Sequence, residues 1–514
     1  MTRLVSVKDS FLAPPLALQQ EPGRASALPG RMAVLLSLVV LVIVPYLMPE
    51  GMDYRAEKYW LGLFAKYMSF AVLALSVELV WGYTGLLSLG QGMYFGLGGY
   101  MVAYSLTLKR AAEEQGVAVG LAPPQFMQYT GPAPNDPSYV VPPALSWIAP
   151  LGNAWTAIVA AALVPAVIAL LFGLYTFRPR LREKPILLSS VLAFVLVVVV
   201  PFAFVWWTPI SNHPILGGFL VCALTLVFAG GLLVSGKRIS GVYFALVTQA
   251  LLLAVFYLIR NQQRFTGGVV GIKHLSDLEL FGQAFNLNRD IRSLCFLVSG
   301  VLVTCYLACS LLVNSKFGRI LTAIRDNENR VLALGYNTAI YKTFVFALAG
   351  GLAGLAGGLF VVANGSAGWG PTFLEIPFSI VAVIWVAVGG RGTLLGALVG
   401  ALLVNFAENL ITSAFPGDFW PIILGLLFIG VVLFVHRGLV PLAGPGALLG
   451  LLFGVIGVIY LDAIFGMPKT GRALIGCPVI LGCLLSPALV KRGLAAVRKL
   501  RASSEKGTQH GLSV

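Results

Sequence analysis

The feature that most constrains this chain is a series of apolar runs, each long enough to cross a lipid bilayer. Residues 32–48, 291–313 and 419–435 are nearly free of charged side chains. About 20 apolar residues span the hydrocarbon core as a helix, and a helix satisfies its own backbone hydrogen bonds there. Only 11% of the 514 residues are charged, against about 25% in soluble domains. The sequence therefore predicts an all-α membrane protein, folded as a polytopic helical bundle.

The apolar runs divide into about fourteen transmembrane segments. The segments cover roughly residues 32–48, 60–81, 84–108, 154–177, 187–207, 215–235, 240–259, 293–313, 344–364, 376–389, 394–412, 420–436, 446–465 and 473–490.

Lysine and arginine are unevenly distributed between the segments that connect these runs. With the N-terminus inside, the inside segments hold 23 of these residues and the outside segments 11. Cytoplasmic loops carry the basic excess in membrane proteins, so both termini are predicted to be cytoplasmic. Residues 1–31 would form an N-terminal tail and 491–514 a basic C-terminal tail. The same distribution accounts for the net charge of +15 without nucleic-acid binding.

The sequence indicates neither catalytic residues nor a metal site. Its four histidines lie in or beside loops and tails, and no Ser/His/Asp set or metal-ligand spacing is present. A structural zinc site takes about four ligands, whereas the six cysteines fall in apolar runs and form no CxxC motif. We interpret all six as small buried apolar residues: Cys222, Cys295, Cys305, Cys309, Cys477 and Cys483.

A glycine-rich segment at 81–100 departs from ordinary lipid-spanning sequence. It holds seven glycines in twenty residues, with polar side chains between them. Glycine-interrupted membrane segments are typical of broken helices beside a substrate path, although small residues also mark close helix packing. Both interpretations stay open. The predicted helix-breaking glycines here are Gly82, Gly85, Gly90 and Gly92.

A second glycine-rich segment lies at 386–405, in the other half of the chain. Gly389, Gly390 and Gly392 are predicted to break the helix, so the two segments suggest a pseudo-symmetric pair. Arg391 is interpreted as an anchor at the cytoplasmic end. Two acidic residues, one beside each break, are predicted to line the path because charge within a membrane is costly and often functional. The full set of path candidates is Glu78, Tyr83, Thr84, Ser88, Gln91, Asn405 and Glu408.

The loop 314–343 contains an amphipathic pattern over 320–336. Ile320, Ile324, Val331 and Leu334 recur at helical spacing, and Gly335 is a natural C-cap. Charged residues of both signs fill the polar side, whereas a membrane-surface helix is mainly basic there. The pattern therefore favours a short cytoplasmic helix that docks a protein partner.

These three regions resemble the branched-chain amino acid and urea family of ABC permeases, and the LivM-like subunit in particular. The resemblance rests on 82–100 (GYTGLLSLGQGMYFGLGGY), 323–360 (AIRDNENRVLALGYNTAIYK and the following span) and 383–416 (VIWVAVGGRGTLLGALVGALLVNFAENLITSAFP). Trp81, Trp385 and the run 328–331 look most like the urea-importer member. Val270 stands where the urea type is expected to carry Asn.

The resemblance implies a complete machine. A second related permease would complete the path as a heterodimer, two cytosolic ATPases would drive it, and a periplasmic binding protein would deliver the solute. ATP would bind to those ATPases and not to this chain, which has no Walker A motif and needs no cofactor. The coupling helix that enters an ATPase would comprise Ile324, Arg325, Asp326, Glu328, Asn329, Arg330, Leu334, Gly335 and Tyr336.

The resemblance also implies a domain organisation and a function. Residues 32–440 would form the permease domain, with ten family-like spans and a two-span insertion at 180–236. Residues 441–490 would add two further spans. The expected function is ATP-driven import of urea across a bacterial inner membrane. The alternatives are a permease for branched-chain or other amino acids or short amides, and a self-contained channel or secondary transporter.

Overall fold

A computed structural model describes residues 54–127, 148–177, 241–273, 275–280, 282–285, 290–365, 375–414, 419–434, 438–440 and 447–465, with isolated positions within 34–43, 134–145 and 480–482. Both predicted tails and the insertion at 180–236 lie outside the described residues. The predicted last span, 473–490, does so apart from two positions.

Helices make up almost all of the described part of the chain. They are α1 (Tyr54–Glu78), α2 (Gln91–Gln115), α3 (Ala154–Phe177), α4 (Val242–Asn261), α5 (Gln263–Thr266), α6 (Ile291–Asn314), α7 (Lys316–Ala333), α8 (Thr338–Asn364), α9 (Ile376–Gly389), α10 (Leu394–Ala414), α11 (Trp420–Phe434) and α12 (Ala447–Phe465). Short 3₁₀ turns occupy Gln125–Met127 and Ala149–Gly152. Strands β1 (Leu278–Leu280) and β2 (Gln283–Phe285) pair antiparallel, with Leu278 opposite Phe285.

Six helices in the described residues are long and apolar enough to cross a membrane. They cover Ala56–Tyr83, Ala154–Leu174, Tyr243–Asn261, Ile291–Asn314, Thr338–Asn364 and Leu394–Ser413. Shorter apolar helices cover Ile376–Gly389, Trp420–Val431 and Leu448–Ile459. The predicted polytopic helical bundle is confirmed, and the number of crossings stays a prediction.

The start of α2 differs from the predicted span 84–108. The helix begins only at Gln91, after a non-helical segment at 84–90. Leu79–Tyr83 extend α1 as a π-helical turn, a feature that is frequent at functional sites. The glycines in this stretch disfavour a continuous helix, and apolar content alone does not reveal that break.

Helix α8 lies at the centre of the bundle and packs against α1, α2 and α3. Glycines on α8 allow this close approach: a Cβ at Gly354 would overlap the carbonyl oxygen of Ala161 on α3, and one at Gly357 would overlap that of Phe95 on α2. Such small-residue contacts hold membrane helices together. Aromatic rings fill the space between α1, α2, α8 and α9, at Phe70, Phe95, Phe360, Phe378 and Trp385.

Candidate coupling and translocation site

Helix α7 is the amphipathic helix that the sequence predicted, and its two ends are capped. Ser315 accepts hydrogen bonds from the N–H groups of Phe317 and Gly318 at the start. Gly335 follows the helix with a φ of 87°. Its N–H bonds the carbonyl of Leu332, and the N–H of Tyr336 bonds that of Val331. These two bonds form a Schellman motif, which confirms the predicted glycine cap.

A joint divides α7 into two helical pieces. Asn327 has extended backbone angles (φ −158°, ψ 96°) inside the helix, and its side-chain oxygen accepts a hydrogen bond from the N–H of Arg330 at 3.1 Å. Asn327 therefore caps the second piece as an N-cap residue does. The sequence pattern over 320–336 did not reveal this joint.

The buried side of α7 holds Leu321, Ile324 and Val331. Leu334, which the pattern grouped with them, is 72% exposed. The helix ends at Ala333, so the helical spacing no longer sets the direction of the next side chain. Asp326, Asn329, Arg330 and Tyr336 are exposed as well.

Two charged residues of α7 point into the protein. Glu328 forms an ion pair of 2.6 Å with Lys342 on α8 and accepts a hydrogen bond from Thr338 at 2.9 Å. The Lys342 ammonium also lies 5.7 Å from the centre of the Phe177 ring on α3. Lys342 is buried, so this ion pair fastens the second piece of α7 to the bundle.

Arg325, on the first piece of α7, reaches the first glycine-rich break. Its Nη1 donates to the carbonyl oxygen of Gly82 at 2.8 Å. The backbone comes close to this side chain at two glycines: a Cβ at Gly85 would lie 3.0 Å from Cγ of Arg325, and one at Gly392 would lie 3.4 Å from Nη1. Gly85 and Gly392 also have positive φ, at 77° and 88°, which suits glycine.

The second glycine-rich break contacts the first beside Arg325. Glu78 is fully buried, and its Oε1 accepts a hydrogen bond from the N–H of Gly392 at 2.6 Å. Its Oε2 has no hydrogen-bond partner among the described residues. Arg391 donates to the carbonyl oxygen of Trp81 at 3.1 and 3.3 Å, and its guanidinium lies 4.9 Å from the Trp81 ring centre.

We call this set the charged junction: Glu78, Trp81, Gly82, Arg325, Arg391 and Gly392. Both arginines act electrostatically on Glu78. Burial, together with the positive charge of Arg325, lowers the pKa of Arg391, and the charge of Glu78 opposes this shift. One buried carboxylate thus faces two guanidinium groups from two different segments.

The start of α2 forms a second group of polar contacts, among buried residues. The N–H of Leu89 donates to Thr248 on α4 at 3.1 Å, and the N–H of Gly92 donates to Ser379 on α9 at 2.9 Å. Gln91 is 1% exposed, and neither polar atom of its side chain has a partner among the described residues. Buried polar groups normally find partners, so Gln91 stands out in this apolar bundle.

Trp385 on α9 is another buried polar group near the helix α2. Its Nε1 has no hydrogen-bond partner among the described residues. The Trp385 ring centre lies 5.1 Å from that of Phe70, which in turn lies 6.1 Å from that of Phe95. Phe95 is one helical turn after Gln91 on the same face of α2. Gln91 and Trp385 therefore bring unpartnered polar atoms to one aromatic region.

The structure divides the predicted path residues into three places. Glu78, Tyr83 and Thr84 lie at or beside the π-helical turn, where the Thr84 hydroxyl donates to the carbonyl oxygens of Val80 and Leu79. Ser88 and Gln91 lie at the start of α2, where the Ser88 hydroxyl accepts from the N–H of Gly90 at 3.4 Å. The remaining two lie on α10.

Asn405 and Glu408, the path candidates on α10, are not equivalent to Glu78. Asn405 donates within its own helix, to the carbonyl oxygen of Ala401 at 2.7 Å. Glu408 is half-buried and acts electrostatically on Tyr67 of α1. The sequence suggested matched acids beside the two breaks, yet only Glu78 joins the charged junction.

Sequence reasoning missed Thr248, Ser379 and Lys342. Thr248 and Ser379 are single small polar residues in apolar runs, and no local signal pairs them with the start of α2. Lys342 had a signal, because it is a lone charge at the head of a long apolar run. Among the described residues, no group of three or more His, Cys, Asp and Glu could hold a metal ion.

A bundle of apolar helices that is broken at two glycine-rich segments, and carries a fastened amphipathic helix, has the organisation of a membrane transport subunit. Residues 59–214 and 214–432 match the family described as branched-chain amino acid transport system / permease component. Because the match covers well over half of the chain, the protein belongs to this family.

Several curated relatives are similar to part of the chain. The autoinducer 2 import system permease protein LsrC of Salmonella typhi is 28% identical over 42% of this chain and 61% of its own length. The high-affinity branched-chain amino acid transport system permease protein LivM of Escherichia coli is 26% identical over 46% of this chain and 60% of its own. The chain thus spans about three fifths of these relatives. No solved structure matches it.

Proposed function

We propose that this chain is the permease subunit of an ATP-driven importer, and that α7 is the helix on which a cytosolic ATPase docks. The observation that carries the proposal is the two-sided character of α7. Its exposed side presents charges of both signs at Asp326 and Arg330, beside the exposed Leu334 and Tyr336. Its other side is fastened to α8 and to the first glycine-rich break. A helix built in this way can pass a displacement from a partner into the bundle.

The wider assembly is part of the same proposal. A second related permease, two ATPases that bind the ATP, and a periplasmic solute-binding protein would complete the importer. The family membership supports such partners. The excess of basic residues in the predicted inside segments supports an inner-membrane location with cytoplasmic termini. In that orientation α7 would lie on the side of the ATPases.

A charge exchange on the exposed side of α7 tests the docking. The variant Asp326→Lys with Arg330→Glu keeps the net charge but reverses the pattern. We expect the variant to remain in the membrane while co-purification of the ATPase subunits and solute uptake are lost. The matched control is Arg110→Glu with Glu114→Lys, an exposed ion pair of 2.7 Å on α2. Normal co-purification and uptake in the α7 variant would overturn the proposal.

We further propose that the solute is small, polar and neutral, with urea as the first candidate. Gln91 and Trp385 support this, because they offer buried neutral donors and an acceptor beside aromatic rings. A charged solute would pay a large desolvation cost in such surroundings. The relatives are named for autoinducer 2 and for branched-chain amino acids, and an amino acid or short amide is therefore the alternative solute.

Uptake of micromolar labelled urea by a deletion strain carrying the chain and its partners tests the solute. We expect urea uptake that excess leucine does not inhibit, and that Gln91→Leu lowers more than Gln125→Leu at an exposed position. Leucine uptake without urea uptake would favour the amino acid alternative. Transport by the purified chain alone in liposomes, without ATPases, would instead indicate a self-contained channel or secondary transporter.

A further inference from the structure

The charged junction brings together three segments that are far apart in sequence. Glu78 closes α1, Gly392 lies in the loop between α9 and α10, and Arg325 lies on α7. A hydrogen bond to backbone links each of the three charged side chains to another segment: Glu78 to Gly392, Arg391 to Trp81, and Arg325 to Gly82. Hence a movement of α7 bears on both glycine-rich breaks at once.

We propose that Glu78 is a positioning residue that holds the two glycine-rich breaks together through its hydrogen bond with Gly392. We further propose that Arg325, on α7, controls the strength of this contact. The proposal rests on the proposed role of α7 and goes beyond it by naming the residues that carry its movement inward. While Arg325 stays on Gly82, its charge compensates the buried carboxylate. When α7 moves and withdraws Arg325, Glu78 loses that compensation, and the hold on Gly392 weakens.

Electrostatics explain why the loss of one arginine is enough. Removing one partner from a buried charge set leaves an uncompensated charge, which is strongly destabilising. Glu78 accepts the hydrogen bond of Gly392 and interacts with the backbone N–H of Thr393, and it lies in the electrostatic field of the two guanidinium groups. Arg391 stays on the Trp81 ring and carbonyl oxygen, so only Arg325 moves with α7.

Sterics keep the junction tight. A Cβ at Gly82 would overlap the carboxylate of Glu78, and Gly85 and Gly392 press against Arg325. The three glycines thus have a reason for their positions beyond helix breaking.

The reconstituted complex of permeases, ATPases and binding protein tests the proposal through its coupling ratio, the solute moved per ATP hydrolysed. Glu78→Gln keeps the shape and one acceptor but removes the charge. We expect ATP hydrolysis without solute to rise and the ratio to fall about tenfold, which corresponds to about 1.4 kcal/mol and lies within common coupling free energies. Arg325→Ala should behave alike, and the double variant should be no worse than either single variant.

Glu57→Gln is the matched control, since Glu57 lies on the same helix and also pairs with an arginine, Arg292, at 2.7 Å. Its coupling ratio should equal that of the unchanged protein. Arg325→Lys, which retains the charge, should restore part of the ratio that Arg325→Ala loses. A ratio in Glu78→Gln equal to that of the unchanged protein would overturn the proposal.

A measurement on the unchanged complex serves if Glu78→Gln does not assemble. Amide hydrogen exchange of Gly392, the donor to Glu78, should speed up when the ATPases are trapped with nucleotide, and unchanged exchange would overturn the proposal. If the unchanged complex shows no ATP-driven uptake, the proposed function is refuted, and the proposed role of Glu78 is refuted with it. If it transports while exchange and ratio do not respond, only the role of Glu78 is refuted.

Discussion

The two glycine-rich breaks share a composition but differ in what surrounds their glycines. Two glycines of the second break, Gly389 and Gly400, have backbone neighbours: a Cβ at Gly389 would overlap the carbonyl oxygen of Gly396, and one at Gly400 would overlap that of Trp385. In the first break the nearest groups to Gly82 and Gly85 are the charged side chains of Glu78 and Arg325. Backbone contacts fix two helices against each other, whereas side chains can be withdrawn. We therefore expect the contact between α9 and α10 at Gly389 and Gly400 to be the fixed part, and the charged junction to be the part that α7 would release.

The largest expected effect comes from disrupting the backbone contact between α9 and α10. Gly400→Ala puts a methyl group against the backbone of α9, and overpacking of this kind costs about 1–3 kcal/mol or more. We expect a large loss of monodisperse protein after detergent extraction, measured by size-exclusion chromatography and thermal unfolding. Gly430→Ala on α11 is the control, because nothing lies within 4 Å of its added Cβ. Equal yields of the two variants would contradict the tight contact between α9 and α10.

The next largest effect distinguishes the two breaks by their response to a loosened α7. Lys342→Met removes the ion pair between Glu328 and α8, and a hydrogen bond to a charged group contributes about 1.5–3 kcal/mol. We expect faster amide exchange in residues 328–333, in the first break at 79–90 and at Gly392, the donor to Glu78, with residues 396–400 on α10 much less affected. Lys316→Met, at the exposed start of α7, should change none of these. The double variant Lys342→Met with Glu328→Leu should recover part of the loss, and equal acceleration at 79–90 and 396–400 would refute the distinction.

A smaller effect isolates the contact between the first break and α7. Gly85 and Gly116 both have positive φ, at 77° and 63°, so alanine costs roughly 1–2 kcal/mol of backbone strain at either position. Only at Gly85 does the added Cβ meet Arg325; at Gly116 nothing lies within 4 Å. We expect similar losses in thermal stability but a further loss of uptake in Gly85→Ala alone. If uptake falls equally in both variants, backbone strain alone explains the loss, and the contact between Gly85 and Arg325 has no role in uptake.

The smallest effect concerns the joint in α7. Asn327→Ala removes the cap of the second helical piece, and losing an N-cap typically costs about 1 kcal/mol. We expect local acceleration of amide exchange at 328–333, with global stability almost unchanged. Asn329→Ala, an exposed neighbour, provides the comparison. If both variants exchange alike, Asn327 does not act as a cap.

Local physics made much of this fold predictable from the sequence. Apolar runs gave the helical bundle, and the pattern at 320–336 gave α7 with its Gly335 cap and its buried Ile324 and Val331. The family resemblance was confirmed over most of the permease domain. The joint at Asn327 was missed because an asparagine within an amphipathic pattern leaves the period intact.

The site was harder to predict than the fold because its contacts are non-local. The sequence predicts that Glu78 lines the path, but its hydrogen-bond partner Gly392 lies 314 residues away. The family resemblance assigns Arg325 to the coupling helix, and no local pattern indicates its hydrogen bond to Gly82 across 243 residues. Nothing in a local pattern shows which distant backbone group a side chain will meet.

The joint at Asn327 has a consequence for the timing of transport. A continuous helix moves as one body, whereas two helical pieces joined at a non-helical residue can move separately. The first piece of α7 ends in the charged junction and the second in the Lys342 ion pair. Under the proposed coupling, a movement of a docked ATPase would therefore reach the bundle at two points that need not respond simultaneously, and the cycle would contain an intermediate in which one attachment has broken while the other is intact.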